Sequence, residues 1–241
     1  MAMKQIPPKR FGVARVLSKQ GLASRTQAAL WVCEGRVSVN GRVVRDPEFP
    51  VQQDRDTIAV AGTTQKAAEV VYLMLNKPRG LVTTTSDEKG RDTVYRCFDD
   101  AGLPWLAPVG RLDKASEGLL LFTNDTAWAA KITSPESALD KTYHVQINRL
   151  PNADDLEKMQ QGVDIEGVLH AIKHVSVLRE GEKNAWLEII LDEGKNRQIR
   201  KILAELNFEV LRLIRVQIGD LKLGELAKGA WRLLDKNEIN L

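Results

Sequence analysis

The segment from Gly110 to Asp125 most constrains how this chain can fold. It places an arginine and an aspartate, Arg111 and Asp113, two residues apart in a short polar turn. Gly118 then leads into the apolar run LLLF, which is typical of a buried strand. The pattern predicts a carboxylate on a tight loop, with a cation beside it and a core strand behind it. Taken alone, it is also compatible with an ordinary solvated turn.

The basic residues of the chain are concentrated in its first quarter. The 241 residues carry a net charge of +3, but residues 1–62 contain 10 lysines and arginines against 5 acidic residues. The rest of the chain contains 25 against 27. This asymmetry is typical of a polyanion-binding module joined to a second domain. A solubilising surface is the alternative.

Cysteine and histidine positions argue against several kinds of site. Cys33 and Cys97 lie far apart in apolar segments, which predicts buried, reduced thiols in a cytoplasmic protein and neither a disulfide framework nor a zinc site. His144, His170 and His174 lack metal-ligand spacing, so no metal and no catalytic histidine is predicted. No apolar run approaches the roughly 18 residues of a membrane span, and no signal peptide is expected.

Residues 11–62 predict a small module of two helices and a β-sheet. The predicted elements are helices over 11–20 and 24–34 and strands over 37–39, 43–44 and 57–60. Asn40-Gly41 is a strong signal for a two-residue hairpin turn, because both residues tolerate positive φ. Six basic side chains are predicted to bind RNA from this module: Arg15, Lys19, Arg25, Arg36, Arg42 and Arg45. Residues 1–10 predict a flexible arm, and residues 63–69 predict a linker.

Residues 70–241 predict a larger second domain. Strands are expected over 70–75, 81–85, 118–122, 141–148, 168–178, 185–192 and 209–218, and helices over 93–100, 126–132, 152–161 and 197–206. Several strands follow one another without an intervening helix. The chain is therefore predicted to form an α+β fold around a mostly antiparallel sheet flanked by helices.

Two polar segments of this domain are candidates for substrate contact. Asn76, Lys77 and Arg79 surround a proline directly after the first strand, which suits contact with phosphate, although an ordinary turn has the same composition. Tyr143 is in phase with Val145 and Ile147 on the buried face of a strand. Such a tyrosine is either a core residue or an aromatic surface for an unstacked base.

A third segment, EGKNRQIRK, places four cations at a helix N-terminus: Lys195, Arg197, Arg200 and Lys201. The helix dipole disfavours cations there, so the pattern predicts a polyanion or a buried carboxylate nearby; a solvated basic turn is the alternative. Asp113 and Glu117 are four residues apart and suggest a glycosidase carboxylate pair. Gly118 and the strand after it make a shared helix doubtful.

Together these segments resemble the pseudouridine synthases, specifically the RsuA/RluB branch that modifies ribosomal RNA. The matching motifs are LNKPRG, GRLDKASEGLLLFTND, KTY, EGKNRQIRK and LIRVQIGDLKLGELAKGAW, in this order over almost the whole chain. Residues 11–60 resemble an RNA-binding motif shared with a small-subunit ribosomal protein. Ser116 and Phe122 stand where the family commonly has threonine and leucine. The last motif looks closer to members that modify the large subunit.

The resemblance implies a role for five residues. Asp113 corresponds to the catalytic aspartate, and Arg111 helps to flip the target nucleotide and fills the space that it leaves. Tyr143 stacks on the flipped uracil and takes part in removing the proton from its carbon 5. Arg200 forms a salt bridge to Asp113, and Ile199 packs beneath the base.

The implied reaction explains these residue types. Isomerisation of uridine gains no electron or group, so neither a cofactor nor a metal is expected. Asp113 acts as a nucleophile on the sugar or as a base, and the sequence leaves both roles open. It must be ionised in a dry site, where burial disfavours the carboxylate form and a close arginine favours it.

The expected partner is ribosomal RNA or an assembly intermediate, bound by a monomer. Two rival functions remain: a non-catalytic, RNA-binding ribosome-assembly factor with the same fold, and a sugar-cleaving hydrolase that uses Asp113 and Glu117.

Overall fold

The computed structural model describes residues 10–53, 55–62, 69–85, 87–99 and 101–240. They form two compact units, one built mainly from residues up to Val71 and the other mainly from Tyr72 onward. The predicted flexible arm (except Arg10) and the predicted linker (except Glu69) lie outside the described residues. The domain boundaries stay a prediction.

The first unit contains two helices and two small sheets. Its elements are β1 (Phe11–Gly12), α1 (Val13–Lys19), α2 (Arg25–Cys33), β2 (Val37–Val39), β3 (Arg42–Val44), β4 (Pro50–Val51) and β5 (Ile58–Val60). One sheet has the order β3-β2-β5, and β1 pairs with β4. The backbone N–H of Gln27 donates to Ser24 Oγ (3.1 Å), so α2 begins at its predicted cap. Asn40 and Gly41 have φ of 49° and 80°, as the hairpin turn requires.

Cys33 and Cys97 are both free, as predicted, but Cys33 is exposed and Cys97 is only partly buried. The prediction of two buried thiols is therefore wrong. Cys33 is exposed because Ala28 and Val32 are the buried residues of α2.

The remaining elements lie wholly or mainly in the second unit. They are β6 (Tyr72–Lys77), β7 (Ala107–Val109), β8 (Glu117–Thr123), α3 (Thr126–Thr133), β9 (Lys141–Ile147), α4 (Ala153–Gln161), β10 (Val163–Ile165), β11 (Val168–His170), β12 (His174–Glu180), β13 (Ala185–Leu191), α5 (Gln198–Glu205), β14 (Val210–Ile218), β15 (Leu221–Lys222) and β16 (Trp231–Leu233). Two short 3-10 helices span Val94–Phe98 and Pro135–Ser137.

Nine of these strands form one sheet with the order β12-β13-β9-β14-β8-β6-β16, and β15 and β7 pair with β14 and β8. Along this order, neighbouring strands are antiparallel except β14 and β8, which are parallel. The predicted α+β fold with a mostly antiparallel sheet is thus confirmed. None of the helices formed by the described residues has the length and hydropathy of a membrane span.

Gly118 allows β8 to approach β14 at the start of the strand. Its φ is +100°, and a Cβ atom added there would lie 2.2 Å from the backbone oxygen of Arg215. Only glycine fits this position, because both the conformation and the contact exclude a side chain.

Three predicted elements differ from the structure. Residues 81–85 form only an isolated bridge from Val82 to Thr93, and the predicted helix over 93–100 is a short 3-10 helix. The predicted strand over 168–178 is divided into β11 and β12, which belong to different sheets. Ile172 interrupts it by donating its backbone N–H to Met159 O (3.0 Å) and packing in the core.

Candidate active site

The loop of residues 110–116, called the Asp113 loop below, connects β7 to β8 and has a fixed backbone. Its five consecutive carbonyls from Leu112 to Ser116 all accept hydrogen bonds. Thr83 Oγ1 donates to Leu112 O (2.8 Å), Lys77 Nζ to Asp113 O (3.2 Å) and Ser116 O (2.8 Å), Gly80 N to Lys114 O (2.8 Å), and Arg200 Nη2 to Ala115 O (3.2 Å). Because no carbonyl of this run lacks a partner, the Asp113 side chain stands on a well-determined backbone.

Lys77 and Asn76 support the site from inside the protein. Lys77 is fully buried, and burial lowers its pKa to about 8 even though the charge of Asp113 acts in the opposite direction. Asn76 is also buried, and its Nδ2 donates to Leu226 O (2.6 Å). The prediction that these two residues contact the substrate is corrected, because both side chains are used within the fold. Arg79 is exposed, so its contact with RNA stays a prediction.

A cavity of about 610 Å³ lies beside the Asp113 loop. It brings together the five residues to which the resemblance gave a role: Arg111, Asp113, Tyr143, Ile199 and Arg200. Tyr143 and Ile199 are buried in its wall, whereas the Asp113 side chain is 47% exposed. The Asp113 side chain therefore does not lie in the dry environment that was expected for it.

Among the described residues, the cation closest to the Asp113 carboxylate is Arg197 and not Arg200. Arg197 Nε lies 3.9 Å from Asp113 Oδ2. Arg200 instead donates to the carbonyls of Ala115 and Val210, the latter at 3.4 Å. The predicted Arg200–Asp113 salt bridge is corrected, because the guanidinium of Arg200 is hydrogen-bonded to backbone. Burial lowers the pKa of Arg200, and the charge of Asp113 opposes this shift.

Residues 193–201, called the basic segment below, carry the other predicted cations. Lys195 and Arg197 line the cavity, whereas Lys201 is not among its lining residues. Lys195 Nζ pairs with Glu193 Oε1 (2.8 Å). Gln198, which is buried, also donates to Glu193 Oε1 (2.8 Å) and to Ala171 O (3.1 Å), so it holds the start of α5 in place.

Glu117 is a buried residue of β8 and does not line the cavity. Arg212 Nε and Lys228 Nζ lie 3.0 Å and 2.6 Å from its two carboxylate oxygens. Burial raises the pKa of Glu117, but the hydrogen bonds from these two cations outweigh it and hold the pKa below its usual value. A carboxylate in this state is unsuited to donate a proton, which argues against the hydrolase hypothesis.

The six predicted cations of the first unit are all exposed. Several have partners within the unit: Arg25 with Glu48 (3.1 Å), Arg36 with Glu34 (3.7 Å), Arg45 with Cys33 O (3.1 Å), and Arg15 and Lys19 at 5.2 and 4.9 Å from the centre of the Phe11 ring. These exposed cations are compatible with binding to phosphates.

Sequence reasoning missed two residues of the site. Thr83 holds Leu112 O, and no pattern marked it. Arg215 lines the cavity and is buried on β14. The available signal was an arginine inside the apolar strand segment LIRV. Charged side chains are rarely buried without a partner, so an arginine in such a segment indicates a specific role.

Comparison with known proteins decides the family. The RNA pseudouridylate synthase family matches residues 71–205, and the S4 domain matches residues 12–58. The chain belongs to the RNA pseudouridylate synthase family. The predicted resemblance is confirmed, and the chain is an RNA pseudouridine synthase, an isomerase, preceded by an S4 domain.

Similar proteins match this pseudouridine synthase over nearly its full length. An RNA pseudouridine synthase of Aquifex aeolicus is 35% identical over 94% of this chain and 91% of its own. The ribosomal large subunit pseudouridine synthase B of Bacillus subtilis is 34% identical over 93% and 92%. A crystal structure of a pseudouridylate synthase matches with a TM-score of 0.64 and 30% identity, covering 95% of this chain and 98% of that one.

Proposed function

We propose that this pseudouridine synthase isomerises a specific uridine of ribosomal RNA, and that the RNA belongs to the large subunit. The large-subunit assignment is supported by the 34% identity to the B. subtilis large-subunit enzyme and by the C-terminal motif. Such a substrate implies action in the cytoplasm, on RNA or on an assembly intermediate. We expect a monomer that needs no cofactor, because the product is an isomer of the substrate.

The observation that carries the proposal is the convergence of three chain segments on one cavity. The Asp113 loop supplies Arg111 and Asp113, β9 supplies Tyr143, and α5 supplies Ile199. Moving the target base out of its stack costs a few kcal/mol, and contacts between the protein and the flipped nucleotide must offset this free energy. Tyr143 and Ile199 offer the base an aromatic and an aliphatic surface, and the exposed Arg111 fills the gap in the RNA.

Asp113 carries the chemical step in this proposal. The bond between N1 of uracil and C1′ of the ribose breaks, the uracil turns, and a bond from C5 to C1′ forms. The proton on C5 is removed, and N1 ends protonated, so atoms and electrons balance. Asp113 acts either on C1′ as a nucleophile or on a neighbouring proton as a base. A bound nucleotide would cover the exposed carboxylate and strengthen its interaction with Arg197.

The hydrogen bonds of the Asp113 loop support this role. A reacting group must be held to within about 0.5 Å of its working position by the residues behind it. Lys77 and Thr83 hold the two carbonyls at Asp113 and Leu112 from the protein interior. The carboxylate is thus accessible to RNA while its backbone is fixed.

Phosphates of the RNA are assigned to the cations around the cavity and on the S4 domain. Arg79, Lys195 and Arg197 are proposed to hold the strand next to the target, and Lys201 lies one helical turn farther along α5. The exposed cations of the S4 domain hold structured RNA elsewhere. These contacts position the RNA without reading its sequence.

The test is a pseudouridine map of ribosomal RNA from a strain that lacks the gene. Carbodiimide-stopped primer extension should show one large-subunit stop that disappears with the gene and returns with the wild-type copy. A copy with Asp113→Asn should not restore it. A stop that moves on small-subunit RNA would contradict the large-subunit assignment, and unchanged maps of both RNAs would contradict the proposed function.

A further inference from the structure

Arg215 is a buried cation in the wall of the cavity, and it has no role in the function proposed above. It is 7% exposed, and it lines the cavity together with Asp113 and Tyr143. Its Cα lies directly opposite that of Tyr143 in the pairing of β14 with β9. Its guanidinium is therefore anchored beside the residue assigned to stack on the base.

The hydrogen-bonding capacity of Arg215 is only partly used. Its Nε donates to Leu119 O (2.8 Å), whereas its Nη2 is buried and has no hydrogen-bond partner among the described residues. A buried donor without a partner destabilises the fold, and more so when it is charged. A ligand in the cavity can supply this acceptor once the wall moves slightly, because Nη2 itself has almost no accessible surface.

The electrostatics of the cavity wall also favour a ligand that carries acceptor oxygens near Arg215. None of the ion pairs formed by the described residues includes Arg215. The neighbouring Lys141 has its pKa lowered, first by burial and then by the charge of Arg215. This part of the wall therefore carries positive charge from Lys141 and Arg215, which the carboxylates of Asp140 and Asp192 offset only in part at Lys141.

A β-bulge follows Arg215 on β14. The register of β14 against β9 shifts between Arg215 and Gln217, so one extra residue lies on β14 at this point. Leu213 and Arg215 line the cavity by ordinary alternation, and the bulge then places Ile218 in the wall where Gln217 would otherwise lie. Bulges of this kind commonly re-aim side chains next to active sites.

Position decides which acceptor Arg215 meets. The cations assigned to phosphate, Arg79, Lys195 and Arg197, are exposed, as a phosphate of the RNA backbone requires. Arg215 is instead buried in the wall next to Tyr143, its cross-strand neighbour, which places it near the edge of a base stacked on that ring.

We propose that Arg215 donates a hydrogen bond from its guanidinium to a carbonyl oxygen of the flipped uracil. This inference rests on the proposed function of the same cavity. In this arrangement Tyr143 holds the face of the uracil and Arg215 holds one edge. The contact orients the base before and after it turns, without forming or breaking a bond.

The experiment measures single-turnover pseudouridine formation on an RNA fragment that contains the mapped uridine. Arg215→Gln, which keeps a donor for Leu119 O, should slow the reaction about 10- to 100-fold, the range of one lost charge-assisted hydrogen bond. Arg215→Lys, which keeps the charge, should recover part of this loss. Arg179→Gln, a cation of the same sheet that does not line the cavity, is the matched control and should react like wild type.

Sulfur is a weaker acceptor than oxygen, so thio-substituted RNA identifies the contacted atom. The RNA fragments carry 2-thiouridine or 4-thiouridine at the target position. Replacement of one of the two oxygens should slow the wild-type reaction but should not slow the Arg215→Gln reaction any further. Equal slowing of both proteins by each thio-substitution would overturn the proposal, as would wild-type rates in Arg215→Gln. A third fragment carries a phosphorothioate 5′ to the target uridine. If this is the only substitution that slows wild type but slows Arg215→Gln no further, Arg215 contacts the phosphate and the proposal is overturned. A wild-type protein that forms no pseudouridine would contradict the proposed function itself.

Discussion

The Asp113 loop and the basic segment both bring charged side chains to one cavity, but they hold them in different ways. In the loop, the carbonyls from Leu112 to Ser116 are all hydrogen-bonded, and the supporting cation, Lys77, is fully buried. In the basic segment, Arg197 is 60% exposed and adopts the left-handed conformation at the start of α5, with φ of 53°. The loop suits a group that must be placed accurately, and the segment suits side chains that must adapt to RNA.

This difference separates two kinds of substitution. Changes behind the loop remove partners from buried groups, so they reduce stability and activity together. Changes in exposed cations leave the fold intact and alter the interaction with a charged substrate. The predictions below test this separation, beginning with the largest effect.

Gly118→Ala should have the most severe effect on the fold. The added Cβ would lie 2.2 Å from Arg215 O, so β8 must move away from β14 and the loop loses its support. We expect a loss of about 4 kcal/mol or more, or insoluble protein. Gly224→Ala is the matched control, because Gly224 also has positive φ (+60°) but no atom within 4 Å of the added Cβ. The control should lose only about 1–2 kcal/mol in chemical denaturation; similar losses in both variants would contradict this account.

Lys77→Met should destabilise the protein by about 2–3 kcal/mol, because carbonyls of the Asp113 loop lose their donor. Turnover should fall with it. The difference in stability should also depend on pH. The pKa of Lys77 is about 8 in the folded protein against 10.5 ordinarily, so above pH 8 the unfolded chain holds more protons. Wild type therefore gains stability relative to the variant as pH rises from about 8 to 10.5. Denaturation curves of both proteins across this range check the sign, and a constant difference would refute it.

Arg200→Gln and Arg197→Gln should separate two roles: Arg200 holds the backbone of the Asp113 loop, and Arg197 places a positive charge beside the Asp113 carboxylate. Arg200→Gln removes donors from Ala115 O and Val210 O and should cost about 1–2 kcal/mol of stability. Arg197→Gln should change stability by less than about 0.5 kcal/mol. It should nevertheless slow single-turnover reaction about threefold to tenfold. If Arg197→Gln unfolds the protein more readily than Arg200→Gln, the assignment of the two arginines is reversed.

The smallest effect is expected from the S4 domain. Replacing Arg15 and Arg42 with glutamine in the full chain should weaken RNA binding severalfold and reduce the slope of log Kd against log salt by about 0.7–0.9 for each lost phosphate contact. The rate at saturating RNA should not change. Arg25→Gln, whose arginine pairs with Glu48, should weaken binding less. An unchanged salt slope in the double variant would remove these side chains from the RNA interface.

Local patterns predicted much of the fold. Alternation placed Tyr143, Val145 and Ile147 on one buried face, and the Ser24 cap and the Asn40-Gly41 turn formed as expected. The missed strands have two residues each (β1, β4 and β15) or three each (β7, β10 and β16), too few to show periodicity. Their pairing depends on distant segments.

The candidate site was predictable as a set of segments but not as a set of contacts. The motifs identified Asp113 and Tyr143, which do line one cavity. They did not show that Lys77 points inward, because a buried lysine and a phosphate-binding lysine occupy the same kind of turn. Nor did they distinguish Arg197 from Arg200, since their order around Asp113 depends on the left-handed start of α5.

The central claim is that Asp113 performs the chemistry from a fixed loop without supporting the fold. Asp113→Asn tests it most directly, with three measurements on one protein: single-turnover pseudouridine formation, RNA affinity and thermal stability. Because the side chain is exposed and the loop is held through its backbone, affinity and stability should match wild type while the rate falls by about 10³-fold or more. Residual activity within tenfold of wild type, or a loss of activity explained by lost binding or unfolding, would contradict the account.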